Sequence, residues 1–200
     1  VTIVTFKLLS KAALALATMG LCLSAASAAY KSEYKLSVVP GASSGWGQTA
    51  TFFADCVRQK SNGRINIKPY FGAQLMAGKQ TSELLLVRRG AIDFALASTI
   101  NWSPQIKELN ITALPFFVAN NPDRYKAIDA IEAGKSGKML EKAIEKTGVK
   151  FLGWSENGFR ELTTSKGPIE KPEDMKGMKL RVCGTPIFID IFSSLGANPQ

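Results

Sequence analysis

The apolar positions of this chain change their period several times, and each change marks a predicted element. "YKLSVVP" (34–40) is a short apolar run that reads as a strand. Beyond a Gly/Ser loop, "QTATFFADCVRQKSNG" (48–63) sets Phe52, Phe53, Cys56 and Val57 on one side at helical spacing and ends on Gly63, which predicts a helix. "RINIKPY" (64–70) alternates Ile65 and Ile67 with polar residues, the period of a half-buried strand. A second helix is predicted over 80–90, a strand over 92–97, and a short helix opened by Ser103 and Pro104. Asn121 as cap and Pro122 as first helical position open a longer helical region that reaches Lys146, with an interruption near 134–137. Strands are predicted over 149–154 and 159–165, and one helical turn over "KPEDMKG". In "MKLRVCGTPIFIDIFSSLGANP" (178–199) a short strand runs into a helix, with Thr185 suited to the N-cap, Pro186 to the first helical position and Gly196 to the stop.

Strand and helix alternate along the chain. That order predicts an α/β architecture of two lobes, with mainly parallel sheets flanked by helices. One βαβαβ run is complete before "ALPFFVANNPD", so lobe I is expected over 29–120 and a partial lobe II over 121–200. Ligands of open α/β sheets bind beyond the carboxyl ends of the strands. Arg181 interrupts an apolar strand at that end, between Leu180 and Val182. Arg160 opens another predicted strand and can face the same cleft. A guanidinium in a cleft needs a partner, either an internal Asp or Glu or a carboxylate ligand held by bidentate bonds.

Residues 1–28 carry Lys7 and Lys11, an apolar run over 12–23 and the small residues Ala26, Ser27 and Ala28. That is the pattern of a secretory signal peptide with a mature start at Ala29, and the run is too short to span a membrane. Leu21 before Cys22 argues against a lipid anchor, where a small residue is expected. Export permits disulfides, but Cys56 and Cys183 fall on separate predicted core elements and read as buried thiols rather than a bridge.

The chain holds 25 Lys and Arg against 16 Asp and Glu, a formal charge of +9. The basic residues are scattered among acids, as in "RYKAIDAIEAGKSGKMLEKAIEK", which reads as a solvated basic surface or, alternatively, as a summed field that attracts an anionic ligand. No basic block with interleaved aromatics points to nucleic acid. The sequence has no histidine, which removes the Ser-His-Asp and Cys-His arrangements and the HExxH zinc site. No catalytic residue, metal or cofactor is therefore expected. "GASSGWG" has the wrong glycine spacing for a dinucleotide loop and reads as a permissive turn that brings backbone near a ligand. "GAQLMAGKQ" has one residue too many for a phosphate loop, and Gln80 stands where Ser or Thr belongs.

The block "NGFRELTTSKGPIEKPEDMKGMKLRVCGTPIFIDIFSSLGANP" resembles the central region of the solute-binding proteins of TRAP transporters, the DctP family. Its G-x-R, its P-x-D-x-x-G-x-K-x-R-V and its L-G-A-x-P carry the resemblance, and "SNGRINIKPYFGAQL", "RRGAIDFALAS" and "ALPFFV" agree with it. The resemblance implies a two-lobed periplasmic protein that closes on a small organic acid and delivers it to the membrane permease subunits of a TRAP transporter. It implies that Arg181 makes the main salt bridge to the ligand carboxylate and that Arg160 adds a second contact. Ser98, Thr99 and Trp102 are implied to line the cleft after one strand, and Trp46 and Gln48 after another. Cys183 stands where the family often has proline. The family pattern continues past L-G-A-x-P, so the resemblance also implies a chain truncated at its C-terminus. A monomer that does not itself span the membrane is expected. Two rivals come from other classes: an exported, histidine-independent enzyme using Glu156 or Glu161, and the ligand-sensing domain of a receptor.

Overall fold

The computed structural model describes residues 30–118, 121–158 and 160–200. Residues 1–28, expected to form a signal peptide, and Phe159 of an expected strand lie outside the described residues. From Glu33 to Gln200 the chain forms one compact unit. Its first sheet has three parallel strands in the order β2-β1-β3: β1 (Tyr34–Val38), β2 (Ile67–Tyr70) and β3 (Phe94–Leu96). In the register, Ser37 of β1 sits opposite Tyr70 on one side and Ala95 on the other. A second, two-stranded parallel sheet joins β4 (Lys179–Leu180) to β5 (Asn198–Pro199). All the described strand pairs are parallel, as the alternating element order requires.

Period two on the strands builds two cores. Leu36 and Val38 of the central strand β1 face α1 (Gly45–Lys60), where Ala50 and Ala54 are buried and Phe53 and Val57 pack alongside. Ala95 of β3 and Ala97 beyond it face the other way. They pack against a cluster that includes Leu84 of α2 (Glu83–Arg88), Trp102 of α3 (Thr99–Trp102), Ile106 and Leu109. Leu140, Ala143 and Ile144 of α5 (Lys135–Glu145) complete that second core. α5 buries its apolar face among residues that precede position 120.

Several expectations need correction. α1 begins at Gly45 because Ser44 caps it, accepting a hydrogen bond from Gly47 N at 3.0 Å. Phe52 lies off the apolar stripe of that helix and is 71% exposed. Ser103 does not open a helix. It ends α3, its hydroxyl donating to Ile100 O, and a 3-10 stretch follows over Lys107–Ala113. The cap of α4 (Arg124–Ala133) is Asp123, not Asn121; Asp123 accepts from Lys126 N, and Asn121 accepts from Asp123 N. The interruption expected near 134–137 falls at Gly134, between α4 and α5. Gly137 there lies so close to Glu132 O that a Cβ would stand 1.9 Å from it.

The strands expected over 149–154 and 159–165 do not form among the described residues. Phe151 and Trp154 pack beside the second core instead, with ring centres 4.7 Å apart. A strand needs a paired neighbour as well as an apolar run, and no ladder reaches the described residues of these segments. The predicted turn over "KPEDMKG" is a 3-10 turn, Pro172–Met175. α6 (Pro186–Ser194) follows β4, with Gly196 in the left-handed region just past its end, φ 77°.

Candidate functional site

β4 runs in register with β5, and the pairing continues past its assigned end: Gln200 N donates to Leu180 O at 2.7 Å and Val182 N donates to Gln200 O at 3.0 Å. Arg181 lies between those two bonds. Leu180 turns into the core, and Arg181, the next residue, turns out and is exposed at the carboxyl end of the strand. Among the described residues its guanidinium has no ion pair.

Arg160 approaches the same strand-to-helix junction from a separate segment. Its guanidinium carbon lies 4.6 Å from the ring centre of Phe188 on α6, and one amino group reaches Cys183 Sγ at 4.0 Å. Among the described residues no carboxylate pairs with it either. Thr185 is the N-cap residue of α6 by backbone geometry, and Pro186 takes the first position, but the Thr185 side chain makes no capping bond. Its hydroxyl is fully buried and has no partner among the described residues. Cys56 and Cys183 are both free thiols.

The other expected residues gather at the first sheet. Ser98 is the N-cap residue of α3, with extended backbone and no side-chain capping bond. Thr99 shares a 2.8 Å hydrogen bond with Thr112. Trp102 is almost fully buried rather than open to a cleft, and its indole N–H donates to Glu83 at 3.0 Å. In the first turn of α1, Trp46 is half-buried with its indole N–H lacking a partner among the described residues. Gln48 is exposed and donates to Ser43 O. The glycine loop closes on itself. Ser44 Oγ donates to Gly41 O at 2.6 Å, and a Cβ on Gly47 would stand 2.3 Å from Ala42 O. Gly47 is required by that internal approach. Two groups thus emerge, Arg160, Arg181 and Cys183 at the β4–α6 junction, and Ser98, Thr99, Trp46 and Gln48 around the exits of β3 and β1. No hydrogen bond or ion pair joins the two groups among the described residues.

Sequence reasoning missed Glu83. This first residue of α2 is fully buried. One carboxyl oxygen accepts from the Ser37 hydroxyl at 2.6 Å and the other from the Trp102 indole at 3.0 Å. Burial pushes its carboxyl up to about 7, against the two hydrogen bonds that favour the charged form. An acid in the first turn of a helix ordinarily reads as a solvated partner of the helix dipole, so nothing in the local sequence marks it.

Among the described residues no contact joins Glu156 to Glu161, the carboxylates of the enzyme rival. Glu156 closes its own turn by accepting from Gly158 N at 2.6 Å. Its charge, with that of Asp129, adds to desolvation in raising Glu132.

Residues 36–200 match the family model described as bacterial extracellular solute-binding protein, family 7. The 2,3-diketo-L-gulonate-binding periplasmic protein YiaO of Escherichia coli is 31% identical over 74% of this chain and 43% of its own length. The dicarboxylate-binding protein DctB of Bacillus subtilis is 31% identical over 84% of this chain and 46% of its own. Among solved structures, a TRAP periplasmic solute-binding protein from Ralstonia eutropha with bound (S)-2-acetolactate is 55% identical. It superposes with a TM-score of 0.80 over 86% of this chain and 53% of that one. A TRAP protein from Sulfurospirillum deleyianum with bound succinate is 27% identical, with a TM-score of 0.76 over 84% of this chain and 52% of that one. The chain spans about half the length of the relatives it matches.

Proposed function

The chain belongs to family 7 of the bacterial extracellular solute-binding proteins, and from that premise we propose that the whole protein captures a small organic acid in the periplasm and delivers it to the permease of a TRAP transporter. The observation that carries this reading is the pair of guanidiniums at the β4–α6 junction. Arg181 stands exposed at a strand's carboxyl end, Arg160 is braced on Phe188, and neither is neutralised by a carboxylate among the described residues. Of the two partners that a cleft arginine can have, a ligand carboxylate is the one this geometry favours.

Binding, not turnover, is the activity. Arg181 supplies charge and a planar fork; Arg160 supports it; Ser98, Thr99, Trp46 and Gln48 face the ligand from the first sheet. Contacts from both groups draw the two sheets together around the acid. Residues 1–28 direct export. The ligand class is a short hydroxy- or oxo-acid, supported by the 55% identity to a protein with bound (S)-2-acetolactate, against 27% for the succinate-bound one.

A thermal-shift panel of the whole protein with (S)-2-acetolactate, pyruvate, lactate, succinate and galacturonate tests the reading. A short hydroxy- or oxo-acid at ~100 times its dissociation constant stabilises the fold by roughly 2.7 kcal/mol. No shift with any acid, or chemical conversion of the acid that binds, overturns it.

A further inference from the structure

Glu83 sits beneath the edge of the first sheet where the chain leaves two neighbouring strands. Ser37, which donates to one of its oxygens, is one residue from the end of β1. Trp102, which donates to the other, ends the short helix that β3 leads into through Ser98 and Thr99. β1 and β3 are adjacent, with Ser37 in register with Ala95. One carboxyl group therefore ties the exits of two parallel strands together, at the edge that carries half of the candidate site.

We propose that Glu83 is a positioning residue of the ligand site that links acid binding to a proton: it clamps the exits of β1 and β3, and the anionic ligand binds better when Glu83 is neutral. The proposal rests on the reading of this edge as part of the site.

The chemistry of the clamp limits how it can take up a proton. An indole N–H only donates, so the oxygen facing Trp102 must remain an acceptor. The proton goes to the oxygen facing Ser37, and the serine hydroxyl turns from donor to acceptor. Both states keep two hydrogen bonds, so the clamp holds while its charge changes.

That charge is uncompensated. The turn Gln80–Ser82, β3 and α3 pack on α2 and carry no ionisable side chain; the 3-10 stretch Lys107–Ala113 and α5, which share its core, carry the exposed Lys107, Glu108, Lys135, Lys138 and Lys142 and the half-buried Glu141 and Glu145, none of them bonded to Glu83 among the described residues. β1 contributes Tyr34, which packs on the opposite face of the sheet, and Lys35, which is exposed and whose backbone N–H is bonded to Asp93. On α2 itself Arg88 is exposed. With no cation beside it, a buried carboxylate under the edge acts on an arriving carboxylate at low local dielectric. Burial places the proton exchange at about 7, where this coupling is felt at ordinary pH.

The test is calorimetry of the whole protein with freshly prepared (S)-2-acetolactate at pH 6 and pH 8, beside Glu83→Gln. A carboxylate of this kind is ionised at both values, so its own titration adds nothing. Gln fills the same volume, accepts from Trp102 and donates to Ser37, and so mimics the protonated clamp. In wild type the affinity falls roughly fivefold or more from pH 6 to pH 8, a typical coupling between sites. Glu83→Gln is flat across that range and binds more tightly than wild type at pH 8, a gain that a residue with only a structural role does not give.

Identical pH profiles in the two proteins overturn the proposal while leaving the acid-binding function intact. Failure of wild type to bind any acid of the panel overturns that function and this proposal with it. Should Glu83→Gln not fold, Ser37→Ala serves. It removes a bond that favours the charged form, so the midpoint of the pH dependence moves up, and an unmoved midpoint counts against the proposal.

Discussion

The guanidinium of Arg160 lies 4.6 Å from the ring centre of Phe188, and this stacking holds a positive charge beside Cys183 at the head of α6. A planar cation over an aromatic face is fixed in orientation without any anion being spent on it. Among the described residues no carboxylate takes up its N–H groups.

Arg160→Lys therefore keeps the charge and loses both the stacking plane and the fork. Affinity for the best acid of the panel is expected to fall roughly tenfold, the value of about one charge-assisted hydrogen bond. The melting temperature changes little, because the side chain is exposed. Titration calorimetry with a melting curve on the same sample checks both.

Glu83 predicts a direction for stability against pH. Its carboxyl stands at about 7 in the fold against an ordinary value of 4.5. Below 4.5 both folded and unfolded chains hold the proton. Between 4.5 and about 7 the unfolded chain loses it first, so stability drains away as pH rises and levels off above 7. The shift corresponds to on the order of 3 kcal/mol. Urea unfolding at pH 5 and pH 8, wild type against Glu83→Gln, isolates it. The variant is expected to lack this downward slope, and an unchanged slope contradicts the assignment.

Gly47 makes a sharper steric prediction. A Cβ there meets Ala42 O at 2.3 Å and Gly41 O at 2.6 Å, both backbone atoms that move only if the loop opens. Gly47→Ala is expected to cost about 2 kcal/mol or more through overpacking. Gly41→Ala, which meets nothing within 4 Å, is the control and stays near wild type in the same urea titration.

What the sequence discloses and what it hides follow from range. Period two along β1 sends Leu36 and Val38 to one face and Ser37 to the other, and three neighbouring residues suffice to show it. Arg181 is legible for the same reason, as a charge at the tip of an apolar strand. Glu83 is illegible because its meaning comes from Ser37 and Trp102, 46 and 19 residues away. The resemblance implies Trp102 as a cleft aromatic, and that carboxyl claims its N–H instead. The run over 149–154 reads as a strand because Phe151 and Trp154 are apolar, yet they pack beside the second core without a ladder. Thr185 has the backbone of an N-cap, and its hydroxyl turns inward instead, which propensity alone does not reveal.

Acid capture by Arg181 is the central claim, and calorimetry of Arg181→Ala and Arg181→Lys in the whole protein, with the best acid of the panel, tests it most directly. The account predicts that Ala weakens binding by roughly tenfold to hundredfold, the worth of one lost charge-assisted bond. Lys lies between Ala and wild type because it keeps the charge without the fork. Both variants melt near the wild-type temperature, since the exposed guanidinium holds no internal acid among the described residues. A wild-type dissociation constant for Arg181→Ala together with a lowered melting temperature contradicts the account and makes Arg181 a structural residue.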